Sequence, residues 1–154
     1  MKDLSRFKEK QFNTPNDFEF LKKLDEYFDS SLGTNIEKLQ NFAKYVPRQD
    51  LTNFLARYEI FKKILNVPGS IIECGVLFGG GLMTFAQLSS IFEPVNFERK
   101  IIGFDTFSGL TKFSKYDKMS ISEYAHEKAF SINSLKDLEK CIEIYDKNRF
   151  LSHF

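Results

Sequence analysis

The chain predicts an α/β fold, a parallel sheet entered from a helical amino-terminal segment, and three observations predict it. Residues 69–81, Gly-Ser-Ile-Ile-Glu-Cys-Gly-Val-Leu-Phe-Gly-Gly-Gly, run from a short apolar stretch through an acidic residue into a glycine-dense turn. A helix-like stretch from Leu82 to Ile91 follows directly. Lys100-Ile101-Ile102-Gly103-Phe104-Asp105 then reads as a second buried strand ending in a carboxylate. Strand, glycine turn, helix and strand is the order of a Rossmann-like unit, which takes a nucleotide-like ligand at the carboxyl edge of its sheet.

The elements follow in order. Thr14-Pro15-Asn16-Asp17 supplies an N-cap and a proline at the first helical position, predicting a helix over 15–30 with Phe18, Leu21, Leu24 and Phe28 facing inward. Gly33 ends that turn. Thr34 or Asn35 caps a second helix carrying Ile36, Leu39, Phe42 and Ala43, which stops before Pro47. Asp50 is the cap expected for a third, with Leu51, Phe54, Leu55, Tyr58, Phe61 and Leu65 at helical spacing. Residues 1–66 therefore read as a helical segment, and Val67-Pro68-Gly69 punctuates the passage into the first strand. Residues 67–154 read as the first part of the Rossmann-like domain. Within it Ser134-Leu135-Lys136-Asp137 resembles a capping box, opening a helix from Leu135 to about Tyr145 that buries Leu138 and Ile142, with Cys141 beside them.

Three ligand templates can be laid on the turn. A P-loop needs Lys and then Ser or Thr after its last glycine, and here Gly81, Leu82 and Met83 follow Gly80. The dinucleotide fingerprint, started at Gly75, meets Leu77 where its second glycine lets pyrophosphate approach the backbone, which disfavours NAD and FAD. The third template is an acidic residue, one residue, a glycine and further glycines, the turn that holds S-adenosylmethionine. Glu73, Gly75, Gly79 and Gly80 fit it. That cofactor has no phosphate; it carries an ammonium, a sulfonium and a ribose diol, so a carboxylate at the strand end suits it better than a lysine. Asp105 ends the second strand where an acidic residue grips ribose hydroxyls. It stands thirty positions after Gly75 rather than about twenty, and the Glu93-Pro94-Val95-Asn96 break accounts for the extra length. A strand-end carboxylate at the ligand edge is not expected to support the core.

Phe54-Leu55-Ala56-Arg57-Tyr58-Glu59-Ile60-Phe61, Val67 to Val76 with its E-C-G-V, Gly79-Gly80, and Gly103 to Leu110 with its F-D-T-F-S-G-L together resemble the macrocin O-methyltransferase (TylF/MycF-like) family. The resemblance runs from about Val46 to Leu110; the first forty residues and the tail after Lys112 match loosely. It implies a class I, S-adenosylmethionine-dependent methyltransferase fold. Glu73 and Gly75, with Val76, would line the methionine end of the cofactor, and the backbone of Leu77, Phe78, Gly79 and Gly80 would pass along it. Asp105 would hold the ribose with Thr106 beside it, and Tyr58 would close over the site from the preceding helix. The implied reaction moves a methyl group to a hydroxyl of a sugar or natural product. The family also implies Mg2+, held by an Asp-rich segment after a fourth strand, together with three or more further strands; this chain has no counterpart to either. The expectation is therefore an incomplete fold, truncated before its third strand and inactive alone. The alternatives are a non-catalytic S-adenosylmethionine-binding module or remnant, and half of a split enzyme. An NAD or nucleotide-sugar enzyme is a third reading, disfavoured by Leu77.

Composition sets looser bounds. Twenty-two Lys plus Arg against twenty-one Asp plus Glu give a net charge of +1 with the signs interspersed, so no nucleic-acid partner is indicated. Two cysteines, Cys74 and Cys141, make neither a metal site nor a disulfide framework, and Cys74 reads as a small buried apolar residue of the first strand. No stretch approaches a membrane span and the start lacks the apolar core of a signal peptide, so a cytoplasmic protein is expected. Eighteen Phe and no Trp point to an aromatic-rich core or to codon bias rather than to any function. His126, in the polar segment 112–133, is a candidate base whose simpler reading is a surface histidine, and His153, next to the terminus, carries no functional reading. Expected partners are a small hydroxyl acceptor, and a missing C-terminal half or a second copy of the chain.

Overall fold

A computed structural model of the chain describes residues 14–113 and 128–148. The chain divides into two compact units, Met1–Asn53 and Phe54–Phe154.

In the first unit, α1 spans Pro15–Ser30. Thr14 and Asp17 form a reciprocal capping box at its start: Asp17 N–H donates to Thr14 Oγ1 at 3.3 Å, and Thr14 N–H donates to Asp17 Oδ2 at 3.1 Å. The four apolar residues expected to face inward are half-buried. A second capping box, Thr34 with Glu37, opens α2, Asn35–Gln40, and a 3-10 turn covers Phe42–Lys44. The apolar residues of this stretch are not its core: Ile36, Leu39 and Phe42 are exposed and Lys38 is buried. The Lys38 ammonium donates to the Phe28 carbonyl and lies 5.0 Å above the Phe28 ring, which compensates its lost hydration. Helix α3, Arg48–Ile64, starts earlier than expected. Leu51 N–H donates to the Pro47 carbonyl at 3.0 Å, so helical bonding begins at the proline and Asp50 lies inside the first turn rather than at its cap.

The second unit holds the sheet. Strands β1, Ile71–Cys74, and β2, Ile101–Phe104, pair in parallel from Ile71↔Ile101 to Cys74↔Phe104, and α4, Gly80–Phe92, connects them. Phe61, fully buried, meets the Phe92 ring at 6.2 Å, and Tyr58 meets the same ring at 5.8 Å. Val76, Leu82 and Leu138 form the buried cluster, with Met83 and Ile101 against it. Gly103 admits that cluster to the sheet, since a Cβ there would stand 2.8 Å from Val76 Cγ2.

The far end of the sheet is pinned by Arg99, a residue with no local sequence signal. Its guanidinium pairs two-pronged with Glu93 at 2.6 and 3.0 Å, and donates to the carbonyls of Ile64, Val67 and Gly69 at 2.9–3.0 Å. The two side chains are only 4% and 8% exposed. Glu93 is thereby held below the usual carboxylate range, first by the Arg99 hydrogen bond. The expected Glu93-Pro94-Val95-Asn96 break is thus an anchored loop, not a passive spacer.

Neither strand is buried on both faces. Ile72 is 60% and Phe104 58% exposed, and Cys74, expected to be buried, is exposed as well. Side chains alternate across a strand, and among the described residues α4 packs on the sheet while Ile72, Cys74 and Phe104 stay exposed. Helix α5, Leu135–Asp146, buries Leu138 as expected, but Ile142 is exposed and Cys141 half-buried. Ser134 makes no side-chain cap, against the expected capping box. Helical segment, β-α-β unit and closing helix make an incomplete Rossmann-like α/β fold. Among the described residues no helix is long and apolar enough to cross a membrane.

Candidate functional site

The turn between β1 and α4 lies at the carboxyl edge of the sheet, where open α/β folds bind ligands. Gly75 and Gly79 sit at φ 85° and 86°, a region glycine enters without steric cost. A Cβ at Gly75 or Gly80 would meet nothing within 4 Å, so the backbone there is open to an approaching molecule. Gly79 is different: it is closed over by Leu138, and a Cβ would collide with Leu138 Cδ1. Gly79 N–H donates to the Val76 carbonyl at 2.8 Å, which tightens the turn.

Glu73 reaches from β1 to the first turn of α4. Gly81 makes room for it, because a Cβ at that position would collide with Glu73 Oε1. Burial raises its carboxyl above the usual range, opposed by the Arg57 charge and by the Leu82 backbone N–H. Oε2 is buried and has no hydrogen-bond partner among the described residues. A helix N-terminus ordinarily attracts a ligand anion; here the chain's own carboxylate occupies that place. The Arg57 charge acts on this carboxylate without a hydrogen bond to Oε2.

Asp105 closes the turn from the β2 side. Its Oδ2 accepts Val76 N–H at 2.7 Å and Leu77 N–H at 2.9 Å, and Oδ1 accepts Phe107 N–H at 2.7 Å. These bonds, Leu77's foremost, hold its carboxyl below the ordinary 3.8. The Thr106 backbone N–H adds a weaker hold on the same carboxyl; a carboxylate has about four acceptor positions, so the turn engages most of them. Asp105 is therefore structural as well as exposed to the ligand edge, a role beyond what its strand-end position alone suggested. Thr106 turns its hydroxyl to the Gly109 carbonyl at 2.8 Å and shapes the loop after β2.

The structure thus brings Glu73, Gly75, Val76, Leu77, Gly79, Gly80, Asp105 and Thr106 to one edge, with Phe78 exposed in the same turn. Val76 contributes its N–H while its side chain joins the core. Tyr58 stands apart. Its ring packs on Phe92 in the last turn of α4 and lies under Lys62 Nζ at 5.0 Å, whereas the turn is at the opposite end of that helix, about 18 Å away along its axis. Arg57, one helical turn before buried Phe61, was not singled out by pattern; its charge bears on Glu73 although 16 positions separate them. Ser134 was also missed as a site element: its hydroxyl donates to the Leu77 carbonyl. Among the described residues no three His, Cys, Asp or Glu side chains gather as a metal site. His126 and His153 lie outside the described residues.

No protein-family model and no curated protein sequence matches the chain. Solved structures do. The crystal structure of the calicheamicin methyltransferase CalS11 is similar over 100% of this chain, with TM-score 0.84 and 28% identity. The apo structure of CalS11, there described as a TDP-rhamnose 3'-O-methyltransferase of calicheamicin biosynthesis, is similar over 99% with TM-score 0.71 and 27% identity. The chain spans 59% and 57% of those two chains. Its fold is that of a Rossmann-like methyltransferase, over the portion it covers.

Proposed function

We propose that the 73–81 turn binds S-adenosylmethionine and that the chain is the cofactor-holding portion of an O-methyltransferase of the macrocin type. The observation that carries this is the unpartnered Glu73 oxygen beside an open glycine backbone. It calls for a ligand cation and repels a phosphate, and the cofactor's ammonium supplies the one without the other. Asp105, at the end of β2 where an acidic residue grips ribose hydroxyls, takes the ribose diol. The likeness to CalS11 supports the same class and, beyond it, a sugar or natural-product hydroxyl as acceptor.

When bound, the cofactor supplies a sulfonium methyl group for in-line transfer. The chain's own contribution is positional: Glu73 fixes the amino-acid end, Asp105 the ribose, and the turn the distance between them, and such positioning supplies much of the rate in a displacement. No described residue is assigned the acceptor's proton, nor any Mg2+ the family resemblance implies. The half-exposed faces of β1 and β2 support further structure that covers the sheet, such as a second copy of the chain.

Calorimetry and thermal shift test the ligand. S-adenosylmethionine or S-adenosylhomocysteine binds and stabilises the protein while NADH is inert; stabilisation by NADH alone would end this reading. Labelled S-adenosylmethionine with magnesium and a panel of hydroxylated sugars and phenols tests the portion. Binding without turnover is expected from the chain by itself, and turnover that disappears with Glu73→Ala contradicts that expectation.

A further inference from the structure

Leu77 sits at φ 53°, in the left-handed region. A Leu side chain has no local reason to be there, because its Cβ crowds the following carbonyl oxygen. Two bonds grip its backbone on either side. Its N–H donates to Asp105 Oδ2 at 2.9 Å, and its carbonyl accepts from Ser134 Oγ, fifty-seven positions away.

Ser134 stands at the N-cap position of α5 and is buried, yet makes no cap bond to its own helix. Its hydroxyl is turned to Leu77 instead. One helical turn on, Leu138 fills the space over Gly79 and packs on Val76 and Leu82. The approach to α5 is itself tied to the loop after β2: Leu110 N–H donates to the Ala129 carbonyl at 3.0 Å, and Lys128 N–H to the Leu110 carbonyl at 2.9 Å. Polar and apolar contacts from one short stretch therefore converge on the turn.

We propose that the start of α5 is a latch on the ligand turn: Ser134 and Leu138 hold Leu77 left-handed and Gly79 closed, so that the backbone of residues 75–80 keeps its open edge toward the ligand. Ser134 is a positioning residue, acting through Leu77. Its expected effect on affinity rests on the S-adenosylmethionine reading, whereas its effect on the turn does not. The plainer role, a buried serine satisfying its hydroxyl, predicts a less stable α5 and an unaltered turn.

Hydrogen exchange on the full chain without ligand separates the two. Ser134→Ala speeds exchange of the Val76, Leu77 and Gly79 amides by roughly tenfold, the loss of about one hydrogen bond, while amides in the middle of α4 are unchanged. Leu77→Gly reaches the left-handed region without steric cost and keeps the carbonyl that Ser134 bonds, so in that background Ser134→Ala still speeds exchange of the turn amides by a similar factor. Ser134→Thr, which keeps the hydroxyl, restores slow exchange. Calorimetry with S-adenosylhomocysteine follows the same pattern: roughly tenfold weaker binding in Ser134→Ala, recovered in Ser134→Thr. Unchanged turn amides in Ser134→Ala, or faster exchange confined to α5, overturn the latch. A wild-type chain that binds no adenosyl ligand overturns the cofactor reading, and the exchange data still decide the latch.

Discussion

Replacing Glu73 with Gln sets stability against binding. The substitution keeps the shape that Gly81 accommodates and leaves a carbonyl for the Leu82 N–H, but removes the charge whose Oε2 is buried without a partner. Burial raises this carboxyl above its ordinary 4.5, so the folded chain prefers it protonated. The linked stability is present below pH 4.5, falls as pH rises through the raised folded value, and is absent above it. At neutral pH the ligand-free wild type therefore carries the full cost of a half-buried charge. Discounted for solvent reaching the side chain, that cost is about 0.5–1 kcal/mol, or about 1–4 °C in Tm for a chain of this size. Ligand-free Glu73→Gln is expected to melt higher by that amount at pH 7 and to match the wild type below pH 4.5. With the ammonium of S-adenosylhomocysteine in place the order reverses: loss of a charge-assisted bond costs about 1.5–3 kcal/mol, roughly 10- to 150-fold in Kd. Scanning fluorimetry across pH reads the first quantity and calorimetry the second. A variant that melts lower without ligand, or binds as tightly as the wild type, refutes the reasoning.

Asp105→Asn exchanges a carboxylate taking three backbone N–H bonds for an amide that must turn a donor toward one of them. Binding of the adenosyl ligand is expected to weaken by about 1–3 kcal/mol, and the ligand-free chain to lose stability too. Because the folded Asp105 carboxyl lies below 3.8, its contribution is present above that pH and lost as pH falls through the depressed folded value; the difference between wild type and Asp105→Asn in an acid titration should vanish at the low end. Arg99→Met strands the Glu93 carboxylate in a site where it is 8% exposed. A loss of about 3–5 kcal/mol in denaturant unfolding is expected, and a loss under about 1 kcal/mol would reduce this pair to an ordinary surface ion pair.

The sequence by itself determined the local structure and the chemistry at the ligand edge. Thr14, Pro15 and Asp17 specify where α1 begins because capping and proline geometry act within four residues. The apolar runs around Ile71 and Ile101, each followed by an acidic or glycine-rich exit, specify two strands and the turn between the first strand and α4, and the parallel register came out with Glu73 opposite Gly103. Glycine at 75 and 79 announces left-handed backbone. Nothing local announces it at Leu77, and only the tertiary structure decided that conformation, through Asp105 and Ser134, which lie 28 and 57 positions along the chain. The same holds for burial. Helical spacing cannot say which face meets a partner, so Lys38 is inside α2's surroundings and Ile36 outside, and Cys74 faces the uncovered side of a strand that reads as buried. Ser134 carries the signature of a cap, yet its hydroxyl meets the Leu77 carbonyl instead of its own helix's N–H groups. Arg99, the most heavily bonded side chain described, has no motif, because three of its partners are backbone carbonyls and any residue can supply those. Bonds within a few residues are written in residue type; bonds across the fold depend on which backbone groups the packing leaves within reach.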